Sequence, residues 1–269
     1  MSNYIALQLY GLIRGFKFEY VRNNIYEKII KQLEEQGFIV HIFWHTYDIE
    51  FDNIINNLQK DKFDIKKIEI DSHQESFDYL KNNYKLKENY KFYSHWTEQQ
   101  KYGWFLFTKS ICKVNRLRQE YQNKNNIHYK WVIYTSGQMN PRNNIDNITR
   151  LNNNFLHSPS YYSCGGFYDS FFLINSDIAD YIGDLYNFMI NKSYKKCKQK
   201  NKIQKYGLKN ENVKMFNFNL KEQNNNEFNY ELIDSEPIFA NYILQKYGYF
   251  SSLKIRFNRV RYNGDIVEH

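Results

Sequence analysis

Polar and charged residues follow several short apolar runs of this sequence, at the points where those runs stop. These stretches are residues 11–15, 45–48, 136–140 and 165–169, and a fifth, residues 234–236, precedes a proline. Runs of β-branched and aromatic residues predict buried strands. Because ligands of open α/β sheets bind beyond the carboxyl ends of the strands, the stretches that follow the runs are the first candidates for a site.

The segment from Tyr129 to Pro141 joins a buried-strand pattern to a polar loop pattern. Residues 130–134 predict a strand, and the glycine, amides and proline that follow predict a loop. We expect the tip at residues 135–140 to form part of the floor of a ligand site. The alternative is a turn that only leads the chain away from the sheet.

Arg14 is the sharpest single candidate for binding an anion. Gly11 and Gly15 flank it, so the backbone can approach a ligand closely, and a guanidinium fork matches phosphate oxygens. A surface arginine in a turn is the alternative. The loop lacks the Gly-x-Gly-x-x-Gly fingerprint, which disfavours a nicotinamide or flavin cofactor.

Asp169 and Glu236 are candidate carboxylates for general-base or metal chemistry. Their alternatives are a loop cap and a charge at a helix N-terminus. His41 and His45 alternate on one predicted strand, with His41 expected to be packed and His45 to lie at the tip. Neither has a Cys or His partner at ligand spacing, which disfavours zinc.

Composition restricts the class of protein. The net charge of +8 permits a polyanionic partner, so a nucleic-acid-binding protein is one hypothesis, but no clustered basic and aromatic motif supports it. The three cysteines are scattered and odd in number, which indicates a reducing compartment. No apolar run approaches the ~20 residues that span a bilayer. The sequence therefore predicts a soluble cytoplasmic protein without a transmembrane segment.

The order of elements predicts an α/β fold with a mostly parallel central sheet. The expected strands are residues 5–9, 38–44, 66–70, 130–134, 171–174 and 253–257. The expected helices are residues 24–36, 52–59, 74–83, 98–122, 175–190 and 234–247. Residues 149–163 are Asn-rich and predict a loop.

We expect residues 1–266 to form a single domain. A Lys/Asn-rich insertion at about residues 193–229 interrupts it, and we interpret it as a flexible insertion, with a lid as one role for it, and not as a second domain. The last residues, 267–269, are interpreted as the remnant of a purification tag.

The ordered series of stretches resembles the GT-A-type glycosyltransferases of bacterial surface-polysaccharide clusters and giant viruses. The matching pieces are residues 7–14 with Phe16, 43–46, the long helix before 129–133, 167–176 and 235–237. Together they span nearly the whole chain in the order of the family.

The resemblance implies a Rossmann-like GT-A fold and transfer of a sugar from a nucleotide-sugar donor to a glycan or other hydroxyl acceptor. It favours a uridine-diphosphate sugar, polysaccharide biosynthesis, and a location in a cytoplasm, or in a virion if the chain is viral. It places Arg14 at the donor diphosphate, Asp169 in the sugar pocket or as the base, and Glu236 on the acceptor side. The implied donor-binding residues are Gly11, Arg14, His45, Thr46, Ser136, Gln138 and Asn140.

The sequence departs from the family after the central strand. Similar proteins read Arg-x-Arg-x-Asp there, whereas this chain has Tyr134, Ser136 and Gln138. A divalent ion such as Mn²⁺ or Mg²⁺ prefers charged oxygen ligands over an amide. Four outcomes stay open: weak metal binding, a metal held by Asp169 instead, catalysis without metal, or a non-catalytic relic that binds nucleotide sugars or glycans.

Overall fold

The computed structural model describes residues 3–12, 15–47, 58, 63–84, 97–159, 170–191, 250–261 and 264–268. The predicted helices at 52–59 and 234–247 and the insertion at 193–229 lie outside these ranges, apart from the single residue Leu58. Within the described residues, no helix combines the length and hydropathy that a membrane crossing requires.

The main element is a sheet of seven strands in the order β3-β2-β1-β4-β7-β6-β8. The strands are β1 (Tyr4–Tyr10), β2 (Ile39–Thr46), β3 (Ile65–Ile70), β4 (Tyr129–Ser136), β6 (Leu156–Pro159), β7 (Phe171–Ile174) and β8 (Phe250–Leu253). Strands β1 to β4 are parallel, and only β7 runs against its neighbours β4 and β6. The predicted α/β fold with a mostly parallel central sheet is confirmed.

A second sheet of three antiparallel strands has the order β10-β9-β5. Its strands are β5 (Met139–Pro141), β9 (Phe257–Val260) and β10 (Ile266–Glu268). Strand β10 includes Val267, which pairs with Arg259. The residues set aside as a tag remnant therefore take part in a sheet, and their origin stays a prediction.

Helices cover both faces of the main sheet. They are α1 (Glu19–Ile25), α2 (Lys31–Glu35), α3 (His73–Asn83), α4 (Glu98–Asn125), α5 (Ser176–Gly183) and α6 (Leu185–Asn191). A π-helical turn, Tyr26–Ile30, joins α1 to α2. The first helix thus begins five residues before the predicted start, because Val21 and Arg22 in its first turns are already buried.

The alternation of side chains along β1 divides the apolar core into two halves. Ile5, Leu7 and Leu9 pack on the face of α1 and α2, whereas Ala6 and Tyr10 pack on the face of α4. One side of α4 faces the core, since Phe105, Leu106, Ser110, Val114 and Leu117 are all buried. This helix begins with a capping box between Thr97 and Gln100.

Three local predictions were wrong. Strand β4 continues through Ser136, so Thr135 and Ser136 belong to the sheet, because Ser136 pairs with Tyr10 of β1. The Asn-rich stretch at 149–163 contains strand β6, whose four residues are all buried. The predicted last strand at 253–257 is the junction where β8 ends and β9 begins, since the chain crosses there from one sheet to the other.

Candidate active site

A pocket lies beyond the carboxyl ends of β1 and β4, where the parallel arrangement predicts a ligand site. Its volume is about 430 Å³, within the ~300–1,000 Å³ of small-molecule sites. The lining residues are Gly11, Leu12, Tyr47, His73, Gln99, Gln100, Gly103, Leu106, Phe107, Ser136, Gln138 and Arg259. Of the predicted donor-binding residues, the structure brings together Gly11, Ser136 and Gln138 here.

The floor of the pocket is two backbone turns that are hydrogen-bonded to each other. The Gly137 amide donates to the Tyr10 carbonyl at 3.2 Å, and the Gly15 amide donates to the Gly137 carbonyl at 2.9 Å. The carbonyl of Gln138 accepts from the amide of Val260 at 2.9 Å, which joins this floor to β9. The turns after β1 and β4 are therefore fixed relative to each other and to the second sheet.

Arg259 brings a positive charge to the pocket. Its backbone on β9 pairs with Met139 of β5, and its side chain is exposed. Within the part of the chain that the structure describes, no hydrogen bond or ion pair engages its guanidinium group. Sequence reasoning missed this residue because β9 was not recognised as a separate strand; the alternation of Phe257, Asn258, Arg259 and Val260 was the available signal.

Another part of the pocket lining is apolar and aromatic. Tyr47 is almost fully buried, and its hydroxyl donates to the Leu106 carbonyl at 2.8 Å. Its ring meets the ring of His73 edge-on, with 6.0 Å between centroids. Phe107, which also lines the pocket, packs edge-on against Tyr10, with 5.1 Å between the ring centroids. The aromatic lining thus suits a flat apolar group, and the guanidinium of Arg259 suits an anion.

His45 and Thr46 lie behind the pocket, and neither is among its lining residues. Both are fully buried. The Thr46 carbonyl accepts from the Asp71 amide at 2.9 Å, which fixes the end of β3 against the end of β2. Burial lowers the pKa of the His45 imidazole below its ordinary value of 6.5. The structure therefore places these two predicted donor-binding residues where they support the pocket from beneath.

Asn140 was predicted to bind the donor, but it makes a contact within the protein instead. It is 6% exposed, and its Oδ1 accepts from Asn24 Nδ2 at 2.9 Å. This hydrogen bond joins helix α1 to strand β5. Asn140 does not line the pocket.

Arg14, Asp169 and Glu236 lie outside the described residues, and the roles assigned to them stay predictions. Two of them directly adjoin described residues of the site. Arg14 precedes Gly15, which bonds the Gly137 carbonyl, and Asp169 precedes Ser170, whose carbonyl accepts from the Ser136 amide at 2.9 Å.

One group of potential metal ligands exists among the described residues, namely His45, Glu69 and Asp71, whose ligand atoms lie within 4.8 Å of one another. Cationic side chains already neutralise both carboxylates. Lys113 Nζ lies 2.8 Å from Glu69 and 2.6 Å from Asp71, and Arg116 lies 2.5 Å from Glu69. The contact with His45 and then the one with Lys113 hold the pKa of Asp71 well below its ordinary value.

This donor set does not fit a divalent cofactor. An ion placed there would meet the Lys113 and Arg116 charges at close range, and Lys109 Nζ lies a further 3.6 Å from Asp71. Among the described residues that line the pocket there is no carboxylate, and the charged side chain is the cation Arg259.

No protein-family model matches the chain, and no curated protein matches it. Among solved structures, mouse xyloside xylosyltransferase 1 is 9% identical, with 93% of this chain and 84% of that chain covered and a TM-score of 0.41. Core-mannan synthase A from Aspergillus fumigatus, in an Mn/GDP form, is 10% identical, with 90% and 70% covered and a TM-score of 0.45.

The glycosyltransferase GlyE of Streptococcus pneumoniae is 14% identical, with a TM-score of 0.35. The match covers 94% of this chain but only 46% of GlyE, so the chain spans about half the length of that protein. All three TM-scores are below 0.5.

Proposed function

We propose that this protein is a GT-A-type glycosyltransferase that moves a sugar from a nucleotide-sugar donor to a hydroxyl acceptor. The observation that carries the proposal is the guanidinium of Arg259, which has no partner among the described residues, in a pocket at the carboxyl ends of parallel strands. A diphosphate presents oxygens that a guanidinium fork binds in pairs. The aromatic wall of Tyr47, His73 and Phe107 supplies a surface on which a nucleobase can pack.

In the proposed reaction, the acceptor hydroxyl attacks the anomeric carbon of the donor sugar. The bond from that carbon to the diphosphate oxygen breaks, and the nucleoside diphosphate leaves with the electron pair. Negative charge develops on the leaving oxygen, and Arg259 is placed to stabilise it. In this proposal Arg14 assists at the diphosphate, and Asp169 takes the proton of the acceptor hydroxyl.

The proposed donor is a uridine-diphosphate sugar, and little metal dependence is expected because Arg259 provides the countercharge. The polysaccharide-cluster or viral setting and the cytoplasmic location stay predictions from the resemblance. A glycan is the proposed acceptor, without commitment to its identity.

The test is a thermal-shift screen against nucleoside diphosphates and their sugars, with and without Mn²⁺. Specific binding raises the melting temperature by mass action, by an amount that grows with ligand concentration. Arg259→Ala should remove most of the shift. Arg261→Ala is the matched control, because it deletes an exposed arginine two positions along that is not among the lining residues of the pocket.

Absence of a shift with every nucleotide diphosphate would refute the proposed function. A shift that persists in Arg259→Ala would refute the role of Arg259 and leave the donor site to Arg14. Binding without turnover would favour the second candidate, a nucleotide-sugar-binding relic, which Gln138 in the pocket supports because it stands where similar proteins have an acid. The nucleic-acid hypothesis requires tight binding to a random oligonucleotide that survives physiological salt.

A further inference from the structure

A buried chain of hydrogen-bonding groups runs beneath the floor of the pocket. The amide of Gly11, at the end of β1, donates to Ser110 Oγ on helix α4 at 2.8 Å. Ser110 Oγ lies 2.7 Å from His45 Nδ1 at the end of β2. The other ring nitrogen, Nε2, lies 3.4 Å from Asp71 Oδ2 just after β3. Three strand ends and one helix are thereby connected through two fully buried side chains, Ser110 and His45.

The positions of the protons follow from which groups can donate. When the ring carries its proton on Nε2, the Ser110 hydroxyl donates to Nδ1. In this arrangement Ser110 Oγ keeps a lone pair for the Gly11 amide. When the ring is protonated, Nδ1–H donates to Ser110 Oγ, and the hydroxyl turns to the His45 carbonyl, 3.2 Å away. Ser110 accepts from Gly11 in both cases.

Several charged and titratable groups face His45. Asp71 and Glu69 approach from β3, Lys109 and Lys113 belong to α4, and Tyr47 follows on the same chain segment with its ring 4.9 Å from the imidazole. Asp71 Oδ2 is the acidic neighbour of Nε2 at 3.4 Å, and Lys113 Nζ lies 2.6 Å from the same carboxylate oxygen. The short contact that joins the ring to the pocket floor is the one between Nδ1 and Ser110 Oγ.

The backbone of Gly11 is flexible, so a hydrogen bond from outside the loop is needed to fix its conformation. It has φ of +79°, the left-handed region, and a Cβ there would meet nothing within 4 Å. The glycine is therefore required by backbone conformation and not by crowding. Because a glycine has more conformational freedom than other residues, a fixed acceptor for its amide restricts the loop most at this position.

We propose that Ser110 and His45 are positioning residues for the ligand pocket. They act through Gly11, holding its backbone so that Leu12 lines the wall and the chain leads toward Arg14. The inference rests on the proposed function, because it names the device that shapes the proposed donor site. The Gly11 amide, already bonded to Ser110, is not itself available to a phosphate.

The test compares Ser110→Ala with the native protein in two measurements. Amide hydrogen exchange of Gly11 is followed by NMR in ligand-free protein labelled with ¹⁵N-glycine, and uridine diphosphate affinity is measured by calorimetry. Loss of a buried hydrogen bond predicts exchange about tenfold faster and binding about tenfold weaker. Tyr134→Phe is the matched control, because it deletes a buried hydroxyl that bonds Asn115 at 3.0 Å on the same helix, away from the pocket.

The control should lower the melting temperature while Gly11 exchange and nucleotide affinity stay unchanged. Unchanged Gly11 exchange in Ser110→Ala, or an affinity equal to that of the native protein, would overturn the proposal. Should Ser110→Ala not fold, Ser110→Cys replaces it, and its weaker acceptor predicts smaller changes in the same direction. If the native protein binds no uridine diphosphate, the proposed function is wrong, and Gly11 exchange alone decides whether the pair holds the loop.

Discussion

The Gly15 amide donates to the Gly137 carbonyl at 2.9 Å, so the turn that follows β1 and the turn that follows β4 share one backbone hydrogen bond. A Cβ on Gly15 would lie 3.0 Å from that carbonyl oxygen and 3.3 Å from the Cα of Gln138. Both obstacles are backbone atoms, which cannot rotate away. The close approach of the two turns therefore depends on glycine at position 15.

Gly15→Ala is expected to destabilise the protein by ~1–3 kcal/mol, the usual cost of forcing atoms into a filled space. Urea denaturation would measure it. Gly103→Ala is the control, since a Cβ there meets nothing within 4 Å in the interior of α4, and alanine should stabilise that helix by up to ~1 kcal/mol. Equal stability of the Gly15 variant and the native protein would show that the turns can separate.

Arg118→Ala, in helix α4, should strongly destabilise the protein. The side chain is fully buried, donates to Asn115 Oδ1 at 3.0 Å and Gln122 Oε1 at 2.9 Å, and pairs with Asp180. Its removal empties the volume of a fully buried side chain and leaves buried acceptors without their donor, and we expect a loss of ~2–5 kcal/mol. Asp180→Asn should cost less, because the amide keeps an oxygen that accepts from Arg118 and the carboxylate it replaces is 41% exposed. Comparable losses would contradict this assignment.

The sequence predicts most strands of the main sheet, and β1 shows the reason. Its alternating apolar side chains face two separate halves of the core, so pattern and packing agree. Strand β6 escaped prediction because its residues Leu156 to Pro159 include His157 and Ser158, polar types that are buried only through tertiary contacts. Nε2 of the His157 ring hydrogen-bonds the Asn152 carbonyl at 2.8 Å, a contact that no periodicity reveals.

The candidate site was predictable only in part. Gly11, Ser136 and Gln138 were found because they follow strand patterns, and strand ends meet at one edge of a parallel sheet. Arg259 and Ser110 were not predicted as site residues. Arg259 belongs to a strand of the second sheet, and Ser110 lies in the middle of helix α4. Their contributions depend on long-range pairing, such as that between Met139 and Arg259, which local sequence does not encode.

Stability should fall as the pH is lowered from about 7 toward 5. Burial lowers the pKa values of His41, His45 and His157 from their ordinary value of 6.5. The unfolded chain therefore takes up protons first, and the free energy of unfolding decreases as pH falls through 6.5 toward the folded pKa values. Above that range all three rings are neutral in both states and contribute no slope.

Urea denaturation at several pH values measures this slope, and His45→Gln should reduce it. The carboxyl of Asp71, whose pKa is lowered, adds its own loss only below its ordinary value of 3.8, outside this window. A stability that stays constant or rises between pH 7 and pH 5 would contradict the placement of the three rings.

Metal dependence should be weak in the native protein and stronger in Gln138→Asp. The amide of Gln138 lines the pocket where similar proteins place an acid, and a carboxylate there would give a divalent ion the charged oxygen ligand it prefers. Calorimetric titration of Mn²⁺ in the presence of uridine diphosphate measures the change. Gln99→Glu, which adds a carboxylate elsewhere on the lining, should tighten binding less. Strict Mn²⁺ dependence of the native protein, with micromolar affinity, would show that the metal ligands lie elsewhere.

Asp169→Asn should abolish sugar transfer while leaving nucleotide binding intact. Asp169 directly precedes Ser170, whose carbonyl accepts from the amide of the pocket-lining Ser136, so the chain enters the site immediately after this carboxylate. Two glycines, Gly165 and Gly166, precede it in the sequence, which is why the sequence favours Asp169 as the carboxylate beside a sugar. Loss of a general base lowers the rate of transfer by ~10²–10⁴-fold.

Turnover of a uridine-diphosphate sugar and calorimetric affinity for uridine diphosphate are measured on the same preparations. Asp177→Asn serves as the control, because it removes a carboxylate from the first turn of α5, at the far end of strand β7. Glu236→Gln tests the second candidate carboxylate. If Asp169 is the base, we expect Glu236 to contribute only as a charge at the predicted helix N-terminus, worth ~0.3–1 kcal/mol. Full transfer activity in Asp169→Asn, with loss in Glu236→Gln, would move the base to Glu236 and the acceptor to that side of the pocket.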